Sequence, residues 1–296
     1  MTAVGFIGLG RMGAPMAARL VGAGHAVTAH DVSAEAVAAF VAAHPSRATA
    51  AANPRDMAEA CEVVITMLPT SAIVAEVLHG DAGLLAGLRP GALVVEMSSG
   101  VPATTIALAA EVAAAGGVLV DAPVSGGVAR AVTGELAIMV GGPDEAVARA
   151  RPILQAMGTS LLPTGQVGSG HAMKALNNLV SAAGFLVSVE ALLIGKKFGL
   201  DPAVMVDVLN ASTGVNNSTQ KKLKPFVLSR RFDSGFGLEL MVKDLTIALG
   251  LARAGGLAAP LSSLTRELWA AALAAGAGED HTAAARLSER LAGLEL

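Results

Sequence analysis

The stretch GFIGLGRMGAPMA at residues 5–17 decides the fold of the chain. An apolar run typical of a buried strand leads into the pattern G-x-G-x-x-G at Gly8, Gly10 and Gly13, and an Ala-rich helical segment follows. The glycine pattern is weak evidence by itself, but the strand before it and the helix after it supply the context of a dinucleotide-binding turn. The stretch therefore predicts a strand, a phosphate-binding turn and a helix in direct succession.

Each glycine of this turn has a separate expected task. Gly8 allows the tight turn, Gly10 lets the backbone approach a pyrophosphate, and Gly13 lets the helix pack closely on the strand. The helix N-terminus adds amide donors and a partial positive charge. We predict that the cofactor phosphates are bound by Gly8, Leu9, Gly10, Arg11, Met12 and Gly13.

Asp31 ends the second predicted strand, 21 residues after Gly10. A carboxylate at this place accepts hydrogen bonds from an adenosine ribose and repels a 2′-phosphate. Ser33 is available to cap the next helix, so its presence favours the cofactor role for Asp31. The predicted cofactor is therefore NAD, with NADP possible because His30 and Arg11 could soften the preference.

Up to about residue 163, nearly continuous apolar strands alternate with helical segments, which is typical of a parallel sheet covered on both faces. We predict residues 1–163 to be an α/β, doubly wound, mostly parallel Rossmann domain that binds NAD. The predicted strands are VGFIG at 4–8, HAVTAH at 25–30, EVVITML at 62–68, ALVVEM at 92–97, GVLVDA at 117–122 and LAIMVGG at 136–142.

The remaining residues, 164–296, are predicted to form an all-α domain for substrate binding and oligomerisation. A long helix near 168–198 would join the two domains, with two lysines in its last turn and Gly199 beyond its end. Asp201 and Pro202 are typical of the start of the next helix. Two further helices are predicted in residues 237–256 and 260–276.

Composition excludes several classes of protein. The chain has 296 residues, a net charge of −3 and no basic block, so nucleic acid and anionic membrane are not expected partners. No uninterrupted apolar run of membrane-spanning length occurs, and we predict no membrane span. The single cysteine, Cys61, fits a reducing cytoplasm, and no metal-ligand spacing is found.

Lys174 is the only Lys, Arg, Asp or Glu between Pro152 and Val189. A buried, unpaired charge is costly, so a lysine in such a stretch either reaches water along its stem or serves a function. A nicotinamide enzyme also needs a proton carrier, and the absence of tyrosine excludes a Tyr-Lys pair. Burial and a nearby positive nicotinamide ring would lower a lysine pKa from about 10.4 towards a useful range. Lys174 is therefore the predicted general acid/base.

The neighbours of Lys174 in the predicted helix suit a polar substrate. Asn177 and Asn178 follow by three and four residues, so all three side chains share one face. An amide there can orient a substrate hydroxyl without a competing charge. His171 lies one turn earlier and is an alternative proton carrier that the sequence leaves open.

Several motifs together resemble those of the β-hydroxyacid dehydrogenase family, the family of 3-hydroxyisobutyrate dehydrogenase and tartronate semialdehyde reductase. The resemblance covers nearly the whole chain and is highly specific. It is carried by GFIGLGRMGAPMA at 5–17, ITMLPTS at 65–71, DAPVSGGVARAVTGELAIMVGG at 121–142, GSGHAMKALNN at 168–178 and KDLTIAL at 243–249.

The resemblance implies a Rossmann domain, a helical domain and a substrate site in the cleft, with Lys174 as acid/base and Asn178 orienting the substrate. It implies that the substrate carboxylate binds Ser125, Gly126 and Gly127, whose successive backbone amides suit an anion-binding nest. It further implies cofactor contacts at Leu68, Pro69, Ser99, Phe236 and Lys243, with Asp244 close to the site. Phe236 and Lys243 are seven residues apart and are expected to share a helix face.

The chain departs from its relatives at a few positions. Ile73 replaces a polar cofactor contact of some relatives, and Ser99 stands where many have threonine. Asn177 occupies the histidine position of the related 6-phosphogluconate dehydrogenases, which disfavours their decarboxylating sugar chemistry. Arg130 either meets a second anionic group of the substrate or faces solvent.

The expected function is that of an NAD-dependent oxidoreductase that interconverts a small 3-hydroxy acid, similar to 3-hydroxyisobutyrate, and its semialdehyde. The main alternative is a reductase of tartronate semialdehyde (2-hydroxy-3-oxopropionate) or another semialdehyde. An imine reductase and a non-catalytic NAD(H) sensor are more distant alternatives. The apolar helices of the second half favour a homodimer or homotetramer, between which the sequence does not decide.

Overall fold

The computed structural model describes residues 2–296 and divides the chain into two compact units. The first unit ends at Lys174, and the second comprises Ala175–Leu296. The sequence predicts two domains with a boundary after residue 163, and the separate functions assigned to them remain a prediction. The boundary between the two compact units lies later in the chain, after Lys174.

The first unit contains one nine-stranded sheet. Its strands lie in the order β3-β2-β1-β4-β5-β6-β8-β7, and β9 pairs with β8. The pairs from β3 through β6 are parallel, whereas β8 runs antiparallel to β6 and β7. The strands are β1 Ala3–Ile7, β2 Ala26–His30, β3 Ala48–Ala50, β4 Val63–Thr66, β5 Leu93–Glu96, β6 Val118–Asp121, β7 Val124–Ser125, β8 Ala137–Gly141 and β9 Ser160–Gly165.

All six strands expected from the sequence are present, and the mostly parallel α/β fold is confirmed. The four residues of β4 and of β5 are all buried, as expected for strands covered on both faces. Three strands were not predicted. The strands β3 and β7 are too short to show a pattern, and β9 lies mostly exposed and contains Pro163.

Helices cover the sheet of the first unit. The first of them packs through Met16, Ala17 and Leu20, which join the core cluster that holds Phe6 and Val95. The helices are α1 Gly13–Gly22, α2 Ala34–Ala43, α3 Pro54–Ala60, α4 Ser71–Leu78, α5 Leu84–Gly87, α6 Pro102–Ala114, α7 Gly127–Thr133 and α8 Asp144–Leu154.

The second unit is helical, as predicted. Its core is built around Trp269 and Phe185, whose ring centroids lie 5.6 Å apart, with Leu192 and Leu238 fully buried in the same cluster. Its elements are α9 Ser169–Phe198 (which begins in the first unit), α10 Pro202–Asn210, α11 Asn217–Lys221, a π-helix Leu223–Leu228, α12 Leu238–Ala254, α13 Pro260–Ala274, a 3-10 helix His281–Ala284 and α14 Ala285–Ala292.

The helix α9 has the start and end that the sequence predicts. Lys196 and Lys197 lie in its last turn, and Gly199 beyond it adopts a φ of 107°, which favours glycine. Asp201 then caps α10, because its side chain accepts a hydrogen bond from the amide of Ala203, and Pro202 is the first helical residue.

One expectation about the second unit is wrong. Phe236 and Lys243 do not share a helix face, because α12 begins only at Leu238. Phe236 lies in the preceding segment, where its carbonyl accepts a hydrogen bond from the amide of His281. Gly235, with a φ of 90°, and the bridge from Gly237 to Asp280 hold this segment outside the helix.

By length and composition alone, α9 meets the criteria for a membrane-crossing helix. Its 18-residue window has a mean hydropathy of 1.7, and 50% of that window is buried inside the structure. Core helices of soluble proteins pass the same test, so this is weak evidence for a membrane.

Candidate active site

The phosphate-binding turn lies between β1 and α1, and its three glycines meet three different surroundings. A Cβ on Gly13 would lie 1.8 Å from the carbonyl oxygen of Gly8, so only glycine lets α1 approach the turn this closely. Gly8 has a φ of 99°, and a Cβ there would lie 2.2 Å from the carbonyl oxygen of Met67. Gly10 has open space instead, with no heavy atom within 4 Å of its ideal Cβ. This is the arrangement needed for close approach of a pyrophosphate to the backbone.

Asp31 is joined to the same turn. Its Oδ2 accepts a hydrogen bond of 2.6 Å from the amide of Leu9, and its Oδ1 accepts one of 2.9 Å from the amide of Ser33. Ser33 itself caps α2 by accepting from the amide of Ala36, as the sequence predicts. The carboxylate is therefore fixed at the carboxyl end of β2, beside the end of β1.

Other predicted site residues follow the carboxyl ends of neighbouring strands. Leu68 and Pro69 come after β4, and Ser99 comes after β5. The amide of Leu68 donates a hydrogen bond of 2.9 Å to Oγ of Ser98, which ties these two strand ends together. Strand order reverses at β1 and β4, where doubly wound sheets bind their ligands.

Ser125, Gly126 and Gly127 span the junction of β7 and α7, because Ser125 ends the strand and Gly127 begins the helix. Gly126 and Gly127 have φ values of 136° and 70°, so both positions require glycine. Both glycines are exposed. A Cβ on Gly126 would lie 2.7 Å from Cδ of Arg130, so the stem of Arg130 lies against this turn.

Lys174 lies in the second turn of α9 and is buried, with 9% of its surface exposed. Its α9 neighbours Met173 and Leu176 are apolar and exposed, so the lysine lies on the buried side of the helix. Its burial makes Lys174 unusual for a lysine, since most lysine side chains are exposed.

Asn178 follows Lys174 by one helical turn and is fixed inside the second unit. Its Nδ2 donates a hydrogen bond of 2.6 Å to Oδ2 of Asp244, which is 1% exposed. The other carboxylate oxygen of Asp244 lies 3.5 Å from Nζ of Lys243. Asn177 donates a hydrogen bond of 3.2 Å to Oδ1 of Asn178. The structure thus brings four predicted residues of the second unit together, whereas Phe236 packs against His281.

A buried polar network in the first unit was not predicted. It consists of Glu96, Ser98, Thr105, Asp121 and His171, each of which is at most 3% exposed. Nε2 of His171 lies 2.7 Å from Oε2 of Glu96, and its Nδ1 lies 2.8 Å from Oγ1 of Thr105. The amides of Gly168 and His171 donate to the two carboxylate oxygens of Asp121 at 2.7 and 2.8 Å.

Burial and charge oppose each other in this network. Burial disfavours the charged imidazolium of His171, but the carboxylates of Glu96 and Asp121 outweigh it and raise the pKa of His171. Burial also opposes ionisation of Glu96, yet the imidazolium and the hydrogen bonds from Ser98 lower the pKa of Glu96. For Asp121 burial prevails and raises the pKa of its carboxyl group.

The signal for this network was present in the sequence. Glu96 and Asp121 each stand at the carboxyl end of an otherwise apolar strand, in ALVVEM and GVLVDA. A carboxylate in such a place must find a partner. Within residues 2–296, no group of three or more His, Cys, Asp or Glu is arranged to hold a metal ion.

Comparison with known proteins agrees with the fold and the glycine turn. Residues 3–168 match the family model described as the NAD binding domain of 6-phosphogluconate dehydrogenase. Residues 168–288 match the model described as NAD-binding of NADP-dependent 3-hydroxyisobutyrate dehydrogenase. The phosphate turn fits a dinucleotide, and the protein is an NAD(P)-dependent oxidoreductase.

Two curated relatives and one solved structure are similar over nearly the full chain. The 3-hydroxyisobutyrate dehydrogenase of Pseudomonas aeruginosa is 40% identical and covers 91% of each chain. The 3-sulfolactaldehyde reductase of Escherichia coli is 40% identical over 94% of this chain and 92% of its own. A structure of Mycobacterium tuberculosis 3-hydroxyisobutyrate dehydrogenase with L-serine is 35% identical, with a TM-score of 0.88 over 97% of this chain and 98% of its own. The chain belongs to the β-hydroxyacid dehydrogenase family.

The open space at Gly10 leads to a test of the phosphate-binding turn. Gly10→Ala should leave the free energy of unfolding nearly unchanged, because its Cβ meets no protein atom within 4 Å. The methyl group would instead occupy the space of the pyrophosphate and weaken NADH binding, measured by quenching of the fluorescence of Trp269. Gly22→Ala, a helical position equally free of contacts, is the control that should leave binding intact. Equal NADH affinity in both variants would contradict this placement of the phosphates.

Proposed function

We propose that the protein is an NAD-dependent dehydrogenase that interconverts a small 3-hydroxy acid, similar to 3-hydroxyisobutyrate, and its semialdehyde. The observation that carries this proposal is the buried Lys174, which stands one helical turn before Asn178 in α9. A buried ammonium next to an oriented amide suits the exchange of a proton with a substrate hydroxyl.

In this proposal, Lys174 Nζ accepts the hydroxyl proton during oxidation and returns it to the carbonyl oxygen during reduction. Bound NAD accepts the hydride from the alcohol carbon, and NADH returns it. Asn178 orients the substrate oxygen, and its own orientation is supported by the short hydrogen bond to Asp244. Asn177 supports that geometry through its contact with Asn178.

The substrate carboxylate is proposed to bind the turn Ser125–Gly126–Gly127. The positive φ values of both glycines and their exposure support an anion-binding role for successive backbone amides. Arg130, whose stem lies against Gly126, is proposed to meet a second anionic group on larger substrates, and the alternative is that it faces solvent. Leu68, Pro69, Ser99, Phe236 and Lys243 are proposed to contact the cofactor.

Lys174 is proposed as the proton carrier in preference to His171. Both ring nitrogens of His171 are already engaged, one by Thr105 and the other by Glu96 and the carbonyl of Ser98. A histidine with both nitrogens bonded to protein groups cannot exchange a proton with a substrate until one of those bonds is broken.

A semialdehyde reductase is the second candidate, and one finding favours it. The E. coli relative, at the same 40% identity as the P. aeruginosa one, is named for the reduction of an aldehyde, 3-sulfolactaldehyde. Reductases of tartronate semialdehyde would use the same proton carrier in the opposite direction. A non-catalytic NAD(H) sensor would have no need for a buried Lys174, and an imine reductase would have no need for the anion-binding turn.

We further propose that the protein works in the cytoplasm as a homodimer or homotetramer, with no nucleic acid or membrane partner. The net charge of −3 and the buried, free Cys61 are consistent with this environment. An oligomer would cover the exposed apolar side of α9, where Val180, Val187 and Ile194 are between 60% and 74% exposed.

The cofactor preference can be tested at Asp31. Asp31→Ser combined with Val32→Arg should shift the ratio of kcat/KM for NAD and NADP towards NADP. The change removes a carboxylate that repels a 2′-phosphate and adds a cation at a position that is fully exposed. The control is Val32→Arg alone, which retains the carboxylate and should shift the ratio less. If the double variant has the same ratio of kcat/KM for NAD and NADP as the wild type, Asp31 does not contact the adenosine ribose.

Lys174→Ala tests the reaction itself. The variant should still bind NADH but lose turnover by roughly 10²–10⁴-fold, the loss typical of a missing general acid/base. Rates are measured with 3-hydroxyisobutyrate, 3-hydroxypropionate, glycerate, serine, threonate and 4-hydroxybutyrate, and with tartronate semialdehyde in reverse. Since Lys174 must begin unprotonated in oxidation, oxidation should gain from higher pH. Full turnover in Lys174→Ala would assign the proton to another group, and NADH binding without turnover of any substrate would support a sensor.

The oligomer can be tested at the apolar side of α9. Sedimentation velocity should give a dimer or tetramer for the wild-type chain, and Val187→Asp should shift it towards the monomer because a carboxylate would be buried in the interface. Val32→Asp, at an apolar and fully exposed position of the first unit, is the control. A wild-type monomer would refute this assembly.

A further inference from the structure

The proposed reaction leaves three buried titratable groups of the first unit without a task. Glu96 ends β5, Asp121 ends β6, and His171 lies in the first turn of α9. The side chains of His171 and Asp121 are completely buried, and that of Glu96 is 4% exposed. Charged groups in such a place are costly unless each has a partner of opposite charge or a hydrogen bond. Their arrangement therefore calls for a reason beyond stability.

Hydrogen-bond donors and acceptors around His171 fix its protonation. Its Nε2 faces only acceptors, the carboxylate of Glu96 at 2.7 Å and the carbonyl of Ser98 at 3.1 Å, so this nitrogen must carry a proton. Its Nδ1 lies 2.8 Å from Oγ1 of Thr105, whose single hydrogen is also offered to the carbonyl of Val101 at 3.2 Å. The Thr105 hydroxyl can donate to the carbonyl of Val101 and accept from His171 at the same time only when Nδ1 of His171 carries a proton. These contacts favour an imidazolium with two N–H donors, the state in which all of these contacts of the ring are satisfied.

Asp121 holds the beginning of α9 through the backbone. Its two carboxylate oxygens accept from the amides of Gly168 and His171, two of the amides that the first turn of a helix leaves without a helical partner. The carboxylate also lies 3.9 Å from Nδ1 of His171. A side chain from the end of a central strand therefore fixes both the backbone and the imidazolium of the helix start.

The network has little room to rearrange. A Cβ on Gly100 would lie 2.9 Å from Cε1 of His171, and one on Gly170 would lie 2.8 Å from Oδ2 of Asp121. Glu96 is held from the other side, because its Oε1 accepts from the amide of Ser98 at 2.8 Å. Through Oγ of Ser98 the same network reaches the amide of Leu68, beside the proposed cofactor site.

We propose that Glu96, His171 and Asp121 form a charged clamp that positions Lys174 by fixing the first turn of α9 to the ends of β5 and β6. His171 precedes Lys174 by three residues, so the two side chains lie one turn apart on the same side of the helix. The three residues of the clamp are positioning residues, since none of them is assigned a contact with substrate. This inference rests on the proposed role of Lys174 as general acid/base.

The clamp makes activity depend on the charge of His171. The charged groups that face its ring are Glu96 and Asp121, and the other contacts, Thr105 and Ser98, are neutral. Folding raises the pKa of His171. The charged ring therefore stabilises the folded protein fully at pH values below the pKa of His171 in the unfolded chain. That stabilisation is lost as pH rises through the pKa of His171 in the folded protein. We expect the clamp to stop supporting the rate of oxidation as pH rises through the folded pKa of His171.

His171→Gln tests the clamp, because glutamine can hydrogen-bond but carries no charge. It should lower kcat by about 10- to 100-fold, the effect of a small displacement of a reacting group, while the Kd for NADH stays constant. The part of the pH profile that reports deprotonation of His171 should be absent from the variant. Glu96→Gln, which retains an acceptor for the amide of Ser98, should give the same pattern if His171→Gln does not fold. His79→Gln is the matched control, since His79 and Glu111 form a similar pair at 2.5 Å that is about half exposed.

A second measurement does not depend on activity. The ¹⁵N chemical shifts of His171, assigned by comparison with His171→Gln, should show two protonated ring nitrogens at neutral pH. A neutral ring would overturn the proposal, and so would unchanged kcat and pH profile in both clamp variants. If kcat, NADH binding and folding stability all fall to the same extent, the clamp has only a structural role. That result would also overturn the proposal. Lys174→Ala is measured in parallel, because full turnover in that variant would refute the role of Lys174 and leave the protonation of His171 unaffected.

Discussion

The parallel alignment of β1 with β2 and β4 is the constraint on which the rest of the first unit depends. Parallel strands end at the same edge of a sheet, so residues that are far apart in sequence become neighbours there. In this protein that edge receives the glycine turn after β1, Asp31 after β2 and Leu68 after β4. The close packing of Gly13 against the carbonyl of Gly8 completes the turn, because any side chain at residue 13 would push α1 away.

A second consequence of the same alignment is electrostatic. The carboxyl ends of β5 and β6 place Glu96 and Asp121 beside one another, where the sheet and its helices exclude water. Two buried carboxylates repel each other, and an imidazolium between them converts a costly pair into a hydrogen-bonded cluster. The cost of burying the charges is then offset only when α9 begins at its observed place. The residue at which α9 begins is therefore coupled to the charge state of Glu96 and Asp121.

Much of the fold was predictable because its signals are local. The glycine turn, the six apolar strands and the caps of α9 and α10 all depend on residues adjacent in sequence. Phe236 was misplaced because its segment is held by a distant partner, His281, and no local pattern reports such a contact. The clamp was missed for a related reason. Glu96 and Asp121 showed that partners must exist, but the pairing with His171 depends on the order of strands in the sheet.

The polar groups of the two units support the proposed reaction in different ways. Lys174 belongs to a helix start that is fixed by strand ends, and the proton carrier proposed here would need such support. In the helical unit, Asn178 and Asp244 are joined by a hydrogen bond, and Asp244 and Lys243 by an ion pair. In the proposed reaction Asn178 orients the substrate oxygen, so its hydrogen bond to Asp244 would serve the same step that the clamp serves through Lys174.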